Sequence, residues 1–575
     1  MCPSGSSSTR AATKRRSAAV AIVLALLLAA VGVRAAGPAR GGSASIAPAE
    51  LQEWLTYIAS DALEGRQVYT EGLGLAAAYI EDHLASWHVK PGGDSGTYFQ
   101  TVKVLGVKTT SHSRVTVSIN GQSRTFTDGD GVTFAKNQGS TRTVTGALEF
   151  IGYGVTLPTM HHDDFAGRNV AGRIVLFIGR GPQGITQADN RLIASRGRDA
   201  VELHGALAAI GPPRAGGAGR GGAGRPGGPQ IDFETTQRLD HAIAPQIAAT
   251  DDFYRFVFGA AGVDYDDLKG KADRLEPLPA VSLPNASITI EVNADYDVVR
   301  TRLTRNVVGI VEGRDQKLKD TYVLLGAHYD HIGYRPAPPP PNAPPVRDAG
   351  GCPGQTRDTP RAGDTIDNGA DDDGSGTVAL MALARAYALG PAPRRSLMFV
   401  WHTGEEAGLF GSRYMADYPE VPLDRVAAQL NIDMIGRNHC DDPAESNTVY
   451  IVGSDRISTE LHNLNEDANR SLDPPLTLDY DLNDPSDPES VYTRSDHYSY
   501  AAKGIPIIFF TTGLHRDYHY LTDEVDRIDF PKLTRVTQLV YATAWRVANL
   551  DHFPARDNKG PRTGRGQSGK IIETR

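Results

Sequence analysis

The order of apolar and polar runs predicts an α/β protein, a mixed, largely parallel sheet flanked by helices with a β-rich unit inserted ahead of it. Three observations carry that prediction. From Thr304 onward, strand-like and helix-like runs alternate through residues 306–311, 322–325, 378–389, 397–401, 427–432, 504–511 and 533–550, the rhythm of parallel strands joined by helical crossovers. Before that, residues 115–119, 144–150 and 174–178 show the two-residue alternation of short strands. Earlier still, Leu51, Trp54, Leu55 and Ile58, then Leu75, Ala78, Ile80 and Leu84, recur at helical spacing. Leu63-Glu-Gly-Arg66 between them is a break with turn character.

At 575 residues the chain is too long for one ordinary domain. Its 40% hydrophobic and 22% charged residues are those of a globular protein. A net charge of −9, with no basic motif interleaved with aromatics, offers nothing to nucleic acid. Arg10, Lys14, Arg15 and Arg16 precede an apolar run over 18–33 and small residues at Val33-Arg34-Ala35, the layout of a secretory signal peptide over 1–35. That run falls short of the roughly 20 residues that span a bilayer, which favours cleavage and a secreted or periplasmic location with no stable membrane span afterwards. The alternative is an uncleaved membrane anchor. Cys352 and Cys440 then remain in the mature chain and could pair in an oxidising compartment.

After the signal, residues 45–104 are expected to form the helical start of a catalytic domain, 105–295 an inserted β-rich domain, 296–552 the rest of the catalytic domain, and 553–575 a polar tail. A Gly/Arg-rich tract over 211–228 cannot bury a core and reads as a loop. The proline-rich stretch 336–345 reads as a stiff rim beside a cleft.

The chemistry concentrates at strand ends in the α/β region. A strand over 397–401 runs into the adjacent carboxylates Glu405 and Glu406. Such a pair is ordinarily solvated charge, but ligands of α/β sheets bind at the carboxyl ends of strands. There, one carboxylate can hold a metal while the other moves a proton. Four more motifs supply the other ligand types. They are Ala327-His328-Tyr-Asp330-His331, Ala370-Asp371-Asp372-Asp373-Gly374, Asn431-Ile-Asp433-Met434, and Asp517-Tyr518-His519. Three consecutive aspartates repel one another unless a cation or water screens them, and Ser375 after them looks like a helix N-cap. An aspartate in an apolar strand such as 430–432 requires a partner. Histidine with carboxylates suits zinc.

Taken in this order and spacing, the five motifs resemble metallopeptidase family 28, the co-catalytic zinc aminopeptidases. The resemblance covers residues 304–550 and, more loosely, 49–100. It implies the zinc aminopeptidase/phosphorylase-like fold and two Zn2+ per chain. It implies His328, Asp372, Glu406, Asp433 and His519 as metal ligands, with Asp372 bridging. Asp330 would support His328, Glu405 would be the general base, and Tyr492 would lie near the scissile carbonyl. His331, His402 and His497 receive no ligand role and are expected to be structural. The 105–295 region, through Phe150-Ile-Gly-Tyr-Gly154 and Gly172-Arg-Ile-Val-Leu176, resembles a protease-associated domain. The implied activity is a secreted aminopeptidase acting on peptides with a two-zinc-activated water. A carboxypeptidase, a dipeptidase, a glutaminyl cyclase of the same fold, or a catalytically silent binding relative are the alternatives.

Overall fold

The structure, a computed structural model, describes residues 41–557 apart from 187–188, 214–229, 338–346, 348, 486 and 488. It adds a short backbone pairing of Arg562–Thr563 with Lys570–Ile571. The expected signal segment, most of the Gly/Arg tract, most of the proline-rich loop and most of the tail lie outside the described residues. No helix among the described residues is long and apolar enough to cross a membrane.

Helix α1 (Pro48–Ile58) buries the stripe read from the sequence, whereas α2 (Glu71–Ser86) buries only Ile80 and Leu84 of its expected stripe, leaves Leu75 and Ala78 exposed, and turns Leu73, Ala76 and Ala77 inward instead. The Leu63-Glu-Gly-Arg66 break between them is a pair of tight turns in which Glu64, Gly65 and Arg66 take positive φ. The main sheet is built from β1 (Phe99–Ser111), β2 (Phe233–Thr235), β3 (Ala294–Val311), β4 (Tyr322–His328), β5 (Ser396–His402), β6 (Val426–Ile432), β7 (Thr448–Val452), β8 (Thr477–Asp479) and β9 (Ile507–Thr511), with the two-residue strand Lys90–Pro91 paired on the end of β3. Their spatial order is β2-β1-β3-β5-β4-β6-β9-β7-β8.

The pairing corrects the expectation of a largely parallel sheet. Only the central strands β5-β4-β6-β9 and the outer pair β7-β8 run parallel. The β2-β1, β1-β3, β3-β5 and β9-β7 pairs are antiparallel. The sheet is therefore mixed, and the crossover rhythm that signals parallel pairing holds only in its middle, where every residue of β5 and β6 is buried. Helices α4 (Gly376–Ala388) and α5 (Phe530–Asn549) pack with α1 and α2 in one core on this sheet.

Between β1 and β3 the chain makes a closed eight-stranded barrel, whose strands run from Arg114–Ile119 through Ala286–Val292. It has a separate core, which takes in Phe126, Phe150, Phe253, Tyr254 and Ile288. The sequence pattern did not reveal its helices, among them α3 (Asp189–Glu202) and Asp251–Ala260. β1 and β3 pair along almost their whole length as a ribbon that joins the barrel to the sheet. Cys352 and Cys440 are bridged, with Cα atoms 5.3 Å apart.

Candidate metal centre

The ends of β4, β5 and β6 point the same way because these strands are parallel, so the residues just past them converge. His328 closes β4, Glu405 and Glu406 follow β5, and Asp433 follows β6. The Asp371–Asp373 loop leads into α4 from the side. The loop after β9 brings His519, whose φ of 53° is uncommon for a side-chain-bearing residue. Arg335, itself paired with Asp367, donates to the His519 carbonyl at 2.7 Å and holds that backbone in place.

Asp372 is the centre of the arrangement. One oxygen, Oδ1, lies 3.3 Å from His328 Nε2, and the other, Oδ2, lies 3.0 Å from His519 Nε2. On the first side Asp433 Oδ1 is 3.7 Å from His328 Nε2. On the second, Glu406 Oε2 is 3.0 Å from His519 Nε2. Ligand atoms around a tetrahedral zinc with bonds near 2.0–2.1 Å stand about 3.3 Å apart, so these separations fit two such sites sharing Asp372. Glu405 approaches no closer than 4.0 Å to His328 Nε2 and lines the cleft with His328, Asp372 and Asp433. Ser495 donates to Asp433 Oδ2 at 2.6 Å and fixes which oxygen faces inward.

His331, expected to be structural, is instead in the centre. It is buried, and its Nδ1 lies 2.9 Å from Glu406 Oε1 and 4.0 Å from Asp372 Oδ2. Neither ring nitrogen nor Glu406 Oε1 makes an aligned hydrogen bond among the described residues. Buried polar atoms left in that state face a missing partner, and a cation beside Glu406 fits the need. The clue in the sequence was its place three residues after His328 in the same strand-end motif. Asp373 lies within ligand range of His328 and Asp433. Its oxygens, however, already accept the backbone N–H groups of His328, Gly376 and Met434, which makes Asp372 the better bridge. Ser375 takes the expected N-cap position of α4 but makes no capping hydrogen bond: its Oγ donates to the Asp371 carbonyl, and Asp373 accepts the Gly376 N–H.

Two other expected residues sit differently. His328 Nδ1 faces the backbone carbonyl of Asp330 at 3.1 Å, and the Asp330 carboxylate is 3.8 Å away. That carboxylate accepts from the N–H groups of Glu405 and Glu406 and so anchors the glutamate pair. Tyr492 does not line the cleft. Its ring lies under the Arg456 guanidinium, 3.7 Å from the centroid, and beside His497 and Tyr498. The cleft-lining tyrosine is Tyr518, with Met434, Leu482, Val491, Phe509 and Arg494 nearby.

The electrostatics describe a site short of positive charge. Burial drives Glu405 well above the usual carboxylate range against the pull of His328, and Glu406 and Asp433 add to the rise. Burial also opposes ionisation of Asp372, yet hydrogen bonds from His328 and His519 hold it well below that range. Burial disfavours a charged His328, but Asp433 and Glu405 outweigh it and raise its pKa well above the ordinary value. Histidines and carboxylates thus crowd together out of water, a setting in which bound cations would offset the carboxylate charge. Beneath the site, buried Arg66 donates to the carbonyls of Ile58, Tyr329, Asn368 and Gly369. It ties the His328 strand end to the Asp371–Asp373 loop, a role the turn-like break did not announce. Gly369 completes that loop at φ +57°, where a Cβ would lie 2.2 Å from the Asp372 carbonyl oxygen.

Residues 306–544 match the model of peptidase family M28. They belong to that family. The match takes in every candidate ligand and leaves the barrel outside. Leucine aminopeptidase 2 of Arthroderma otae is 25% identical over 334 residues, which are 54% of this chain and 56% of that protein. Leucine aminopeptidase 1 of Coccidioides posadasii (strain C735) is 28% identical over 192 residues, 31% of this chain and 47% of that protein. The chain thus spans about half the length of the curated relatives it matches. Among solved structures, a zinc aminopeptidase from Bacillus subtilis aligns with 89% of this chain and 98% of its own at 16% identity, with a TM-score of 0.41.

Proposed function

We propose that this family M28 protein is a secreted, zinc-dependent aminopeptidase that removes N-terminal residues from peptides with Glu405 as general base. The observation that supports this most is Asp372, which faces His328 with one oxygen and His519 with the other, while Glu405 stands back at 4.0 Å from His328 Nε2. The leucine aminopeptidase relatives favour attack at the amino end.

His328, Asp372 and Asp433 would hold one zinc and His519, Asp372 and Glu406 the other, with His331 beside Glu406. Zinc in such a pair supplies Lewis acidity and an acidified water. The protein's own groups do the rest. Glu405, whose burial favours proton uptake, takes a proton from the attacking water and returns it to the leaving amine. Tyr518 Oη donates to the oxygen that becomes negative as the carbonyl is attacked. Ser495 and Asp330 keep Asp433 and the glutamate pair in position. The barrel is read as the protease-associated insert that its glycine-turn strands resemble.

The test is hydrolysis of free and N-acetylated peptides, read by mass spectrometry with and without a chelator. Loss of single residues from free N-termini, blocked by acetylation and by chelation, is expected. Release from the carboxyl end would move the specificity to a carboxypeptidase. Glu405→Gln is expected to retain zinc and lose turnover by about 100-fold or more; an active variant would remove Glu405 from its role.

A further inference from the structure

The barrel reaches the cleft through a run of charged contacts. Tyr518 lines the cleft with His328, Asp372 and Glu405, and its ring stacks on His519 with centroids 3.9 Å apart. Arg494 Nη2 donates to Tyr518 Oη at 3.1 Å. A guanidinium carries donors only, so Tyr518 Oη must accept in this contact, and its own proton is left to point elsewhere. Arg494 Nη1 is in turn held by Glu489 Oε2 at 2.7 Å. The same Glu489 oxygen also receives Arg191 of the barrel helix α3. At the other end of α3, Tyr498 Oη donates to Glu202 Oε1 at 2.5 Å. Helix α3 is therefore fixed to the catalytic unit at both ends, and one end leads to the cleft.

We propose that Arg494 is a positioning residue that orients the Tyr518 hydroxyl into the cleft, and that the barrel sets Arg494 through Arg191 and Glu489. This rests on the peptidase reading and on Tyr518 as oxyanion donor. With Arg494 in place, the hydroxyl gains nothing by turning toward it, because a guanidinium can donate but not accept. Arg191 fixes the shared carboxylate, so Glu489 holds Arg494 in one position rather than following it. The inserted domain thereby contributes to catalysis without a side chain of its own in the cleft.

A double-mutant cycle on Leu-4-nitroanilide hydrolysis tests this. Tyr518→Phe is expected to lower kcat by about 100-fold, the usual loss for one oxyanion donor. Arg494→Met should lower kcat by a similar factor with little change in KM, and Arg494→Met/Tyr518→Phe should be no worse than Tyr518→Phe. Arg494→Lys, which keeps a donor, should recover part of the loss. Arg191→Ala should lower kcat several-fold in the wild-type background and not at all in Tyr518→Phe. Zinc content and thermal midpoint, measured on each variant, separate these effects from misfolding. Losses that multiply in the Arg494/Tyr518 double variant would overturn the positioning role. An Arg191→Ala enzyme with unchanged kcat would overturn the barrel's part. A zinc-loaded wild type inactive on every peptide would instead count against the peptidase reading itself.

Discussion

At the scale of single residues, burial decides what a titratable group does. His497 is buried, donates from Nε2 to the Tyr492 carbonyl at 2.6 Å and stacks on Phe509. Burial pushes its pKa down from 6.5 to about 3. As pH falls, the unfolded chain therefore takes up this proton first. The stability contributed by neutral His497 is present above pH 6.5 and is lost between 6.5 and 3, by at most about 1.4 kcal/mol per pH unit. His497→Gln removes that term. Denaturant midpoints at pH 7 and pH 5 should show the wild type's advantage over the variant shrinking as pH falls; an advantage that stays constant would contradict it. His497 and His331 were both expected to be structural, although His331 shares a strand-end motif with His328. The difference is what surrounds the ring, an aromatic and a carbonyl in one case, two carboxylates in the other.

At the scale of elements, the metal centre depends on loops that one buried arginine helps to join. Arg66 satisfies carbonyls from α1, from the residue after His328 and from the two residues before Ala370. Removing it strands those acceptors in the interior, at about 1–3 kcal/mol for each that finds no substitute. Arg66→Met should therefore lower the unfolding midpoint markedly and weaken zinc retention, read by equilibrium dialysis. Arg66→Lys should recover part of both, since it keeps the charge and some donors. Unchanged zinc affinity in a folded Arg66→Met protein would show that the loops hold their places unaided. The strand ends themselves were legible, because short apolar runs that stop at His328, Glu405 and Asp433 can be read as strands and their termini. The register and direction of those strands were not, which is why the sheet proved less parallel than the alternation implied.

At the scale of the molecule, two cores make two units with different dependence on metal. The sheet core takes in α1, α2, α4 and α5, whereas the barrel core closes on itself. Zinc bound only by the folded catalytic unit stabilises that unit by about 2.7 kcal/mol at a hundredfold excess over Kd. Calorimetry with and without chelator is expected to lower the catalytic transition and leave the barrel transition in place. A single transition that moves as a whole would show that the ribbon and α3 couple the two units into one cooperative block.

The division of labour between sequence and tertiary structure follows from range. Identity and local spacing suffice to name the donors, since histidine and carboxylate chemistry and the end of an apolar run are local properties. The sequence by itself thus determined which residue types stand at the strand ends and that helices and strands combine in a mixed α/β sheet. Which of three consecutive aspartates faces the histidines depends on backbone N–H groups contributed largely by distant segments, and these engage Asp373 and leave the Asp372 carboxylate to His328 and His519. Which tyrosine meets the cleft depends on the turn that carries His519 and Tyr518, not on proximity to a motif. The Arg191–Glu489–Arg494 contacts join residues some 300 positions apart. Only folding brings such groups together, because their attraction acts over a few ångströms and leaves no period in the chain.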